Sequence, residues 1–241
     1  NKIIKNKIES ILLSVIIPVY NEINTIEEII DKINLISINK EIIIVDDYSN
    51  DGSNVKLKEL EGVKFNKLCV HKKNQGKGAA IKTGLEYVNG DICLIQDADL
   101  EYDPNDYFKL VKPIIERKTK VVYGSRVLGK NRYNNNQFSS KFRVFANHML
   151  TIFSNLINKQ KLTDAHTCYK VLETPLLKKI GLKEKKFNFC PELTTKLSNQ
   201  KISILEVPIF YDGRSYKEGK KIGIFDGFHA IYTIVKYKLI K

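Results

Sequence analysis

The sequence predicts a three-layer α/β fold built on a mainly parallel central sheet. Three observations carry this. Short β-rich runs alternate with longer amphipathic stretches through the first 125 residues. The first run, Leu12 to Val19, is apolar almost without a break, as a strand covered on both faces must be. Acidic and polar residues then follow the strands in turn, as Asn21-Glu22, Asp46-Asp47 and Asp97-Ala98-Asp99. In a parallel sheet those positions share one edge, at the carboxyl ends of the strands, where such folds bind their ligands.

The elements follow in order. Leu12 to Val19 is the first strand, closed by Pro18-Val19-Tyr20. Thr25 with Glu28 has capping-box spacing and opens a helix to about Ser37. Glu41 to Val45 is the second strand, Val55 to Leu60 a short helix and Lys67 to Val70 the third strand. A helix from Gly76 to Tyr87 starts at a glycine-rich turn, and Asp91 to Gln96 and Val121 to Gly124 complete the set of strands. Beyond Arg126 the pattern loosens. Lys130 to Ser140 reads as a loop and Phe142 to Ile157 as a helix, while Leu162 to Lys170 is irregular. Thr174 to Ile180 and Cys190 to Asn199 are helical, Lys201 to Phe210 is a strand, Arg214 to Lys221 is a basic loop, and Ile224 to Ile240 is an apolar and aromatic helix. We expect one domain over 1–241, with a nucleotide-binding part near 10–126, an acceptor-binding part near 127–223 and a terminal helix near 224–240.

Composition narrows the class. The 241 residues are 43% hydrophobic and 28% charged, which excludes a disordered tail, a fibrous repeat and a disulfide scaffold. The four cysteines fall singly, so neither a disulfide framework nor a structural zinc site is expected, and Cys69 and Cys93 read as buried thiols of a reducing compartment. The stretch Ile11 to Val19 is about half of what a spanning helix needs, and Asn1 to Glu9 precedes no small-residue cleavage site; neither a transmembrane segment nor a signal peptide is expected. A formal charge of +13 suits an anionic partner without choosing among nucleic acid, membrane and phosphorylated substrate. No nucleic-acid-binding module is present, and the acidic cluster at 97–101 would repel a phosphate backbone, so nucleic acid is not expected.

The strongest chemical signal is Ile95-Gln96-Asp97-Ala98-Asp99-Leu100-Glu101, an apolar strand ending in three carboxylates. Such a density of oxygen ligands suits Mg2+ or Mn2+ held jointly with substrate phosphates; an ordinary polar strand end is the competing reading. After the second strand, Asp46-Asp47 to Ser53 can take a ribose or base, or form only a capped turn. Asn74-Gln75-Gly76-Lys77-Gly78-Ala79-Ala80 offers free N–H groups at a helix start to an anion, or is a tight junction. The glycine-rich dinucleotide fingerprint is absent, since Pro18-Val19-Tyr20-Asn21-Glu22 stands in its place, and no Gly-x-Ser-x-Gly turn occurs. Arg126 follows a strand and lies toward the same edge as Asp97, and the basic loop at 214–221 suits a phosphorylated acceptor.

Taken in order, Ser14 to Glu22, Val45-Asp46-Asp47 to Ser53, Asn74 to Ala80, Asp97-Ala98-Asp99 and Gly124-Ser125-Arg126 resemble family 2 glycosyltransferases. Leu162-Thr163-Asp164 to Tyr169, Pro191-Glu192-Leu193, Glu206-Val207-Pro208-Ile209 and Arg214 to Lys221 resemble its polyprenyl-phosphate sugar transferases, typified by dolichyl-phosphate mannose synthase. The resemblance implies the nucleotide-diphospho-sugar transferase fold, of GT-A type. It implies that Pro18, Tyr20, Glu22 and Asp47 hold the base and ribose of a GDP- or UDP-sugar, and that Lys77 helps place it. Asp97 would contact the sugar or ribose, while Asp99 and Glu101 would ligate Mg2+ or Mn2+, with Glu101 standing where the mannose synthases usually have Gln. Arg126, with Arg214, Lys220 and Lys221, would meet the phosphates. The implied reaction is inverting transfer of a hexose to a polyprenyl phosphate, with the enzyme peripheral on the cytoplasmic face of a membrane. The terminal helix, apolar and aromatic with lysines beyond it, either lies on an anionic bilayer or packs on the domain. If the acceptor is instead a saccharide hydroxyl, Asp164 or Glu192 is the candidate base. A non-catalytic nucleotide-sugar-binding protein is the third class.

Overall fold

A computed structural model describes residues 10–128, 141–213 and 224–240. Seven strands form one sheet in the order β3-β2-β1-β4-β6-β5-β7. β1 (Leu13–Val19) lies between β2 (Lys40–Asp46) and β4 (Ile92–Ile95), parallel to both, and β3 (Lys67–Val70) adds in parallel beyond β2. β6 (Lys170–Glu173) runs antiparallel between β4 and β5 (Val121–Ser125), and β7 (Leu205–Pro208) pairs in parallel with β5. Because β6 opposes both neighbours, β5 and β7 point the same way as β1, β2 and β4. The carboxyl ends of those strands therefore share one edge with the start of β6. The sheet is mainly parallel, as expected; β6 itself, inside a stretch without periodicity, was not.

The first helix shows why the amino-terminal half folds as it does. α1 (Ile26–Asn34) buries Ile26, Ile29, Ile30 and Ile33 and turns Glu28, Asp31 and Lys32 outward. Each isoleucine is fully buried, and each contributes about 1.5–3 kcal/mol of transfer free energy. The expected capping box does not form. The Thr25 hydroxyl donates instead to Glu22 Oε2 at 3.2 Å, and no side chain caps the helix. α2 (Ser53–Leu60) and α3 (Lys77–Leu85) follow β2 and β3, and a short turn at Pro104–Asp106 leads into α4 (Tyr107–Ile115), an element without a clear sequence signal.

α5 (Lys141–Asn158), α6 (Thr174–Ile180), α7 (Phe189–Asn199) and α8 (Ile224–Leu239) belong to the second half. α8 packs on both α5 and α7. All four cysteines are free and buried, and burial pushes the Cys93 thiol up to about 12. Among the described residues no helix is long and apolar enough to cross a membrane.

Candidate active site

Three non-glycine residues adopt left-handed backbone at the carboxyl ends of adjacent strands: Asn21 (φ 55°) after β1, Tyr48 (φ 69°) after β2 and Leu100 (φ 63°) after β4. Such conformations cost energy in L-residues and gather where a site must be shaped. At Leu100 the chain doubles back, so that Asp99 Oδ1 accepts the Glu101 N–H at 3.1 Å. Glu101 Oε2 in turn accepts the Tyr211 hydroxyl at 2.7 Å. Asp97, Asp99 and Glu101 thus leave β4 in a fixed turn at the sheet edge.

Beneath them sits Gln96, fully buried, whose Oε1 accepts the hydroxyls of Tyr107 (2.8 Å) and Tyr169 (2.7 Å) while its Nε2 donates to the Asp97 carbonyl at 3.0 Å. Burial pushes the phenols of Tyr107 and Tyr169 well up, so both stay hydrogen-bond donors. The Lys77 ammonium reaches across from α3 to ion-pair with Asp97 and lies 2.9 Å from Cys168 Sγ. Burial works against that ammonium, but the Asp97 carboxylate prevails and holds its pKa well above the ordinary lysine value. Lys77 and Asp97, distant in sequence, are one half-buried ion pair.

The glycines beside Lys77 have a structural task. A side-chain carbon on Gly78 would come within 2.3 Å of the Glu184 carbonyl oxygen, and one on Gly76 within 2.6 Å of that of Lys185. The Ala79 N–H donates to that Lys185 carbonyl at 2.9 Å. The close approach made by this loop is therefore to the segment 184–186. Asp47 is similarly engaged: its carboxylate accepts the N–H groups of Gln75 (2.8 Å) and Gly76 (2.6 Å) and meets His71 Nδ1 at 2.7 Å. It ties the end of β2 to the glycine loop. Asp46 beside it is fully buried, with Oδ2 unpartnered among the described residues, and burial raises its pKa. Pro18 and Tyr20 stand half-buried at the end of β1, and Glu22 is buried there.

Arg126 follows β5 and makes a two-pronged contact with Asp164, Nε to Oδ2 at 2.7 Å and Nη2 to Oδ1 at 2.8 Å, and its guanidinium lies 5.0 Å from the Tyr211 ring. Asn147 from α5 adds a bond to Asp164 Oδ1 at 3.1 Å. Burial alone would raise the Asp164 pKa, but the Arg126 charge overrides it and holds the carboxyl well below the usual range. Glu192 is also fully buried; it accepts the N–H groups of Lys183 and Glu184, both at 2.8 Å, and pairs with Lys196 at 2.7 Å. Asp164 and Glu192 are thus both engaged in anchoring other segments. Arg214, Lys220 and Lys221 lie outside the described residues.

The structure brings Lys77, Asp97, Asp99, Glu101 and Arg126 to one edge, joined through Tyr211 and Cys168. Sequence reasoning missed Gln96, Tyr102, Cys168, Tyr169 and Tyr211, which support them. Tyr102 packs on Tyr169 and Tyr211, with ring centroids 4.8 and 5.2 Å away, and its hydroxyl accepts the Cys168 N–H at 3.1 Å. Only Gln96 carried a signal, a polar residue at the buried end of an apolar strand. Among the described residues no three His, Cys, Asp or Glu side chains form a ready metal cage. Asp99 and Glu101 fit a hard divalent cation in another way, as one or two carboxylates completed by substrate phosphate oxygens.

Comparison with known proteins identifies the family and the fold. The model of Glycosyl transferase family 2 matches residues 14–181, and the chain belongs to that family of enzymes. It is 29% identical over 249 residues to a UDP-N-acetylglucosamine–dolichyl-phosphate N-acetylglucosaminyltransferase of Methanococcus voltae, covering 95% of this chain and 97% of the relative. It is 28% identical over 230 residues to a dolichol-phosphate mannosyltransferase of Pyrococcus furiosus, covering 94% of this chain but only 64% of that longer protein. In fold it is similar to glucosyl-3-phosphoglycerate synthase of Mycobacterium tuberculosis, solved with Mn2+, UDP and phosphoglyceric acid, with a TM-score of 0.74 at 17% identity over 99% of this chain and 82% of that one. The fold is the GT-A type.

Proposed function

We propose that this family 2 glycosyltransferase moves one hexose from a GDP- or UDP-sugar to the phosphate of a polyprenyl lipid, with inversion, at the cytoplasmic face of a membrane. The observation that carries the acceptor assignment is the state of Asp164. A saccharide hydroxyl must lose a proton as it attacks, and a carboxylate held ionised far below neutrality by Arg126 is a weak base. Glu192 is equally committed, to two N–H groups and Lys196. A lipid phosphate is already ionised at neutral pH and needs no such base. The names of the two dolichyl-phosphate relatives support the same acceptor.

The residues divide the work. Pro18, Tyr20, Glu22 and Asp47 would hold the base and ribose, and Asp47 also keeps the glycine loop in place. Lys77 fixes the Asp97 carboxylate toward the sugar or ribose. Asp99 and Glu101 would hold Mg2+ or Mn2+ with the donor diphosphate. A cation there supplies charge that offsets the departing nucleoside diphosphate. Arg126, oriented by Asp164, turns a fixed positive charge toward the phosphates. An acceptor phosphate oxygen attacks the anomeric carbon from the face opposite the leaving group; the carbon–oxygen bond to the diphosphate breaks, and its electron pair leaves with the nucleotide.

A nucleotide-release assay tests this. UDP- and GDP-sugars are crossed with undecaprenyl phosphate, dolichyl phosphate, free glycans and no acceptor, with Mg2+, Mn2+ or chelator. We expect release that needs both a divalent cation and a lipid phosphate, and that falls on the order of 10³-fold in Asp99→Ala with folding retained. Release with a glycan but not with lipid phosphate would overturn the acceptor and return Asp164 or Glu192 as base.

A further inference from the structure

Glu101 and Arg126 follow strands that do not pair with each other. β6 lies between β4 and β5, so no strand contact is shared by the carboxylate that would meet the cation and the guanidinium that would meet the phosphates. The segment after β7 spans them instead. At one end the Ile209 N–H donates to the carbonyl of Ser125, next to Arg126, at 3.1 Å. At the other the Asp212 N–H donates to the Glu101 carbonyl at 2.9 Å, and Tyr211 forms an isolated antiparallel bridge with Tyr102. Between them the Phe210 N–H is fixed by Asp106 Oδ2 at 2.6 Å. Residues 209–212 thus strap the end of β5 to the turn after β4.

Tyr211 is where that strap carries chemistry. The residue is only 2% exposed, and the two parts of its side chain meet different groups. The hydroxyl donates to Glu101 Oε2 at 2.7 Å, while the ring lies 5.0 Å from the Arg126 guanidinium. Tyr102 meets the same ring edge-on, with centroids 5.2 Å apart, and holds it in place. Burial and the neighbouring Glu101 push the phenol well up against the pull of Arg126, so it stays a hydrogen-bond donor. A buried tyrosine needs some partner for its hydroxyl. Here the partner is a carboxylate of the cation site, and the ring faces the cation of the phosphate site.

We propose that Tyr211 is a positioning residue that sets the Glu101 carboxylate and the Arg126 guanidinium against each other, its hydroxyl serving the cation site and its ring the phosphate site. This role deepens the reading of Glu101 and Arg126 given above and rests on it. An outer hydrogen bond orients a carboxylate toward a metal ion, and an aromatic face steadies a guanidinium. Both groups would act on the same phosphates, and charges preorganised at a fixed spacing need no rearrangement as the reaction proceeds.

Two substitutions separate the hydroxyl from the ring. Tyr211→Phe keeps the ring beside Arg126 and removes the donor to Glu101; Tyr211→Leu removes both. Binding of Mn2+ with UDP, and separately with GDP, is read without any acceptor from the electron paramagnetic resonance signal of the free ion. Both variants should weaken it about three- to tenfold. On a Glu101→Ala background Tyr211→Phe should weaken it no further. The phosphate side is read by NMR from the Arg126 Nε–H, which is bonded to Asp164. That signal should keep its position in Tyr211→Phe and move or broaden in Tyr211→Leu. The KM for a short, water-soluble prenyl phosphate should rise about tenfold in Tyr211→Leu and stay within about twofold of the parent in Tyr211→Phe. A residue that only filled space would not divide the two readouts between the two variants. Parent-like Mn2+ affinity in Tyr211→Phe would overturn the proposal, as would full additivity with Glu101→Ala or an Arg126 signal unmoved in Tyr211→Leu. A parent that makes no prenyl-phosphate product while the Mn2+ and Arg126 results hold would refute the acceptor reading and leave the role of Tyr211 standing.

Discussion

Helices α1 and α5 carry apolar residues at the same period and bury opposite faces. α1 hides four isoleucines in the main hydrophobic core and shows water its charges. α5 buries Val144 together with Thr151, Ser154 and Asn158, and shows water Phe142, Phe145, Met149, Ile152 and Leu156. The first is held by the hydrophobic effect, which is not directional. The second is held by hydrogen bonds to specific partners, among them the carboxylate that orients Arg126. The half that would grip the nucleotide is anchored by its core. The half that would meet the acceptor is anchored largely by a polar network, and much of the apolar surface of α5 stays exposed.

The largest expected effect breaks that polar network at its charge. Asp164→Asn leaves the half-buried Arg126 guanidinium without its counter-charge and should cost about 3 kcal/mol in denaturant unfolding. Loss of activity with unchanged stability would instead make Asp164 a base and erase the contrast. Next is the paired test of the two helices: Ile30→Ala in α1 should cost about 2–5 kcal/mol, and Ile152→Ala in α5 no more than about 0.5 kcal/mol. Similar losses at both would mean that α5 buries its apolar face.

A smaller effect is one of pH. Burial, with Lys170 nearby, lowers the His166 pKa to about 4, below the unfolded value of about 6.5. The unfolded chain therefore binds the proton first, and stability should fall as pH drops from about 6.5 to 4, by about 1–3 kcal/mol. His166→Asn should flatten that window; an unchanged slope would remove His166 as its cause. The smallest effect is at the end of β4. Glu101→Gln keeps an acceptor for the Tyr211 hydroxyl and should weaken the apparent metal affinity less than about tenfold, with stability within about 0.5 kcal/mol. Complete loss of metal-dependent turnover would give Glu101 a far larger share of the site.

Much of the first half was legible because its strands and its chemistry follow one another along the chain. Apolar runs ending in Asn21-Glu22, Asp46-Asp47 and Asp97-Ala98-Asp99 place three strand ends together by topology alone. The second half was legible only in outline. β6 sits in a stretch with no period, and its presence between β4 and β5 is set by tertiary pairing. Periodicity marks α5 as a helix but cannot say which face turns inward, since that is decided by Asp164, Leu162 and Thr195 in other segments. The supporting tyrosines and Cys168 act through contacts that local sequence does not encode, and the Gly76 and Gly78 requirement comes from backbone at 184–186, over a hundred residues on.

The most direct measurement is the mass of the lipid product. The protein, an active nucleotide-sugar, a divalent cation and a prenyl phosphate of defined length would be incubated, and the organic extract weighed by mass spectrometry. The account predicts a lipid heavier by one anhydrohexose unit and still carrying one phosphorus, with Asp99→Ala yielding none. A product with two phosphorus atoms would mean that a sugar phosphate was transferred, and sugar found only on a glycan would mean a hydroxyl acceptor. Either result would contradict the account.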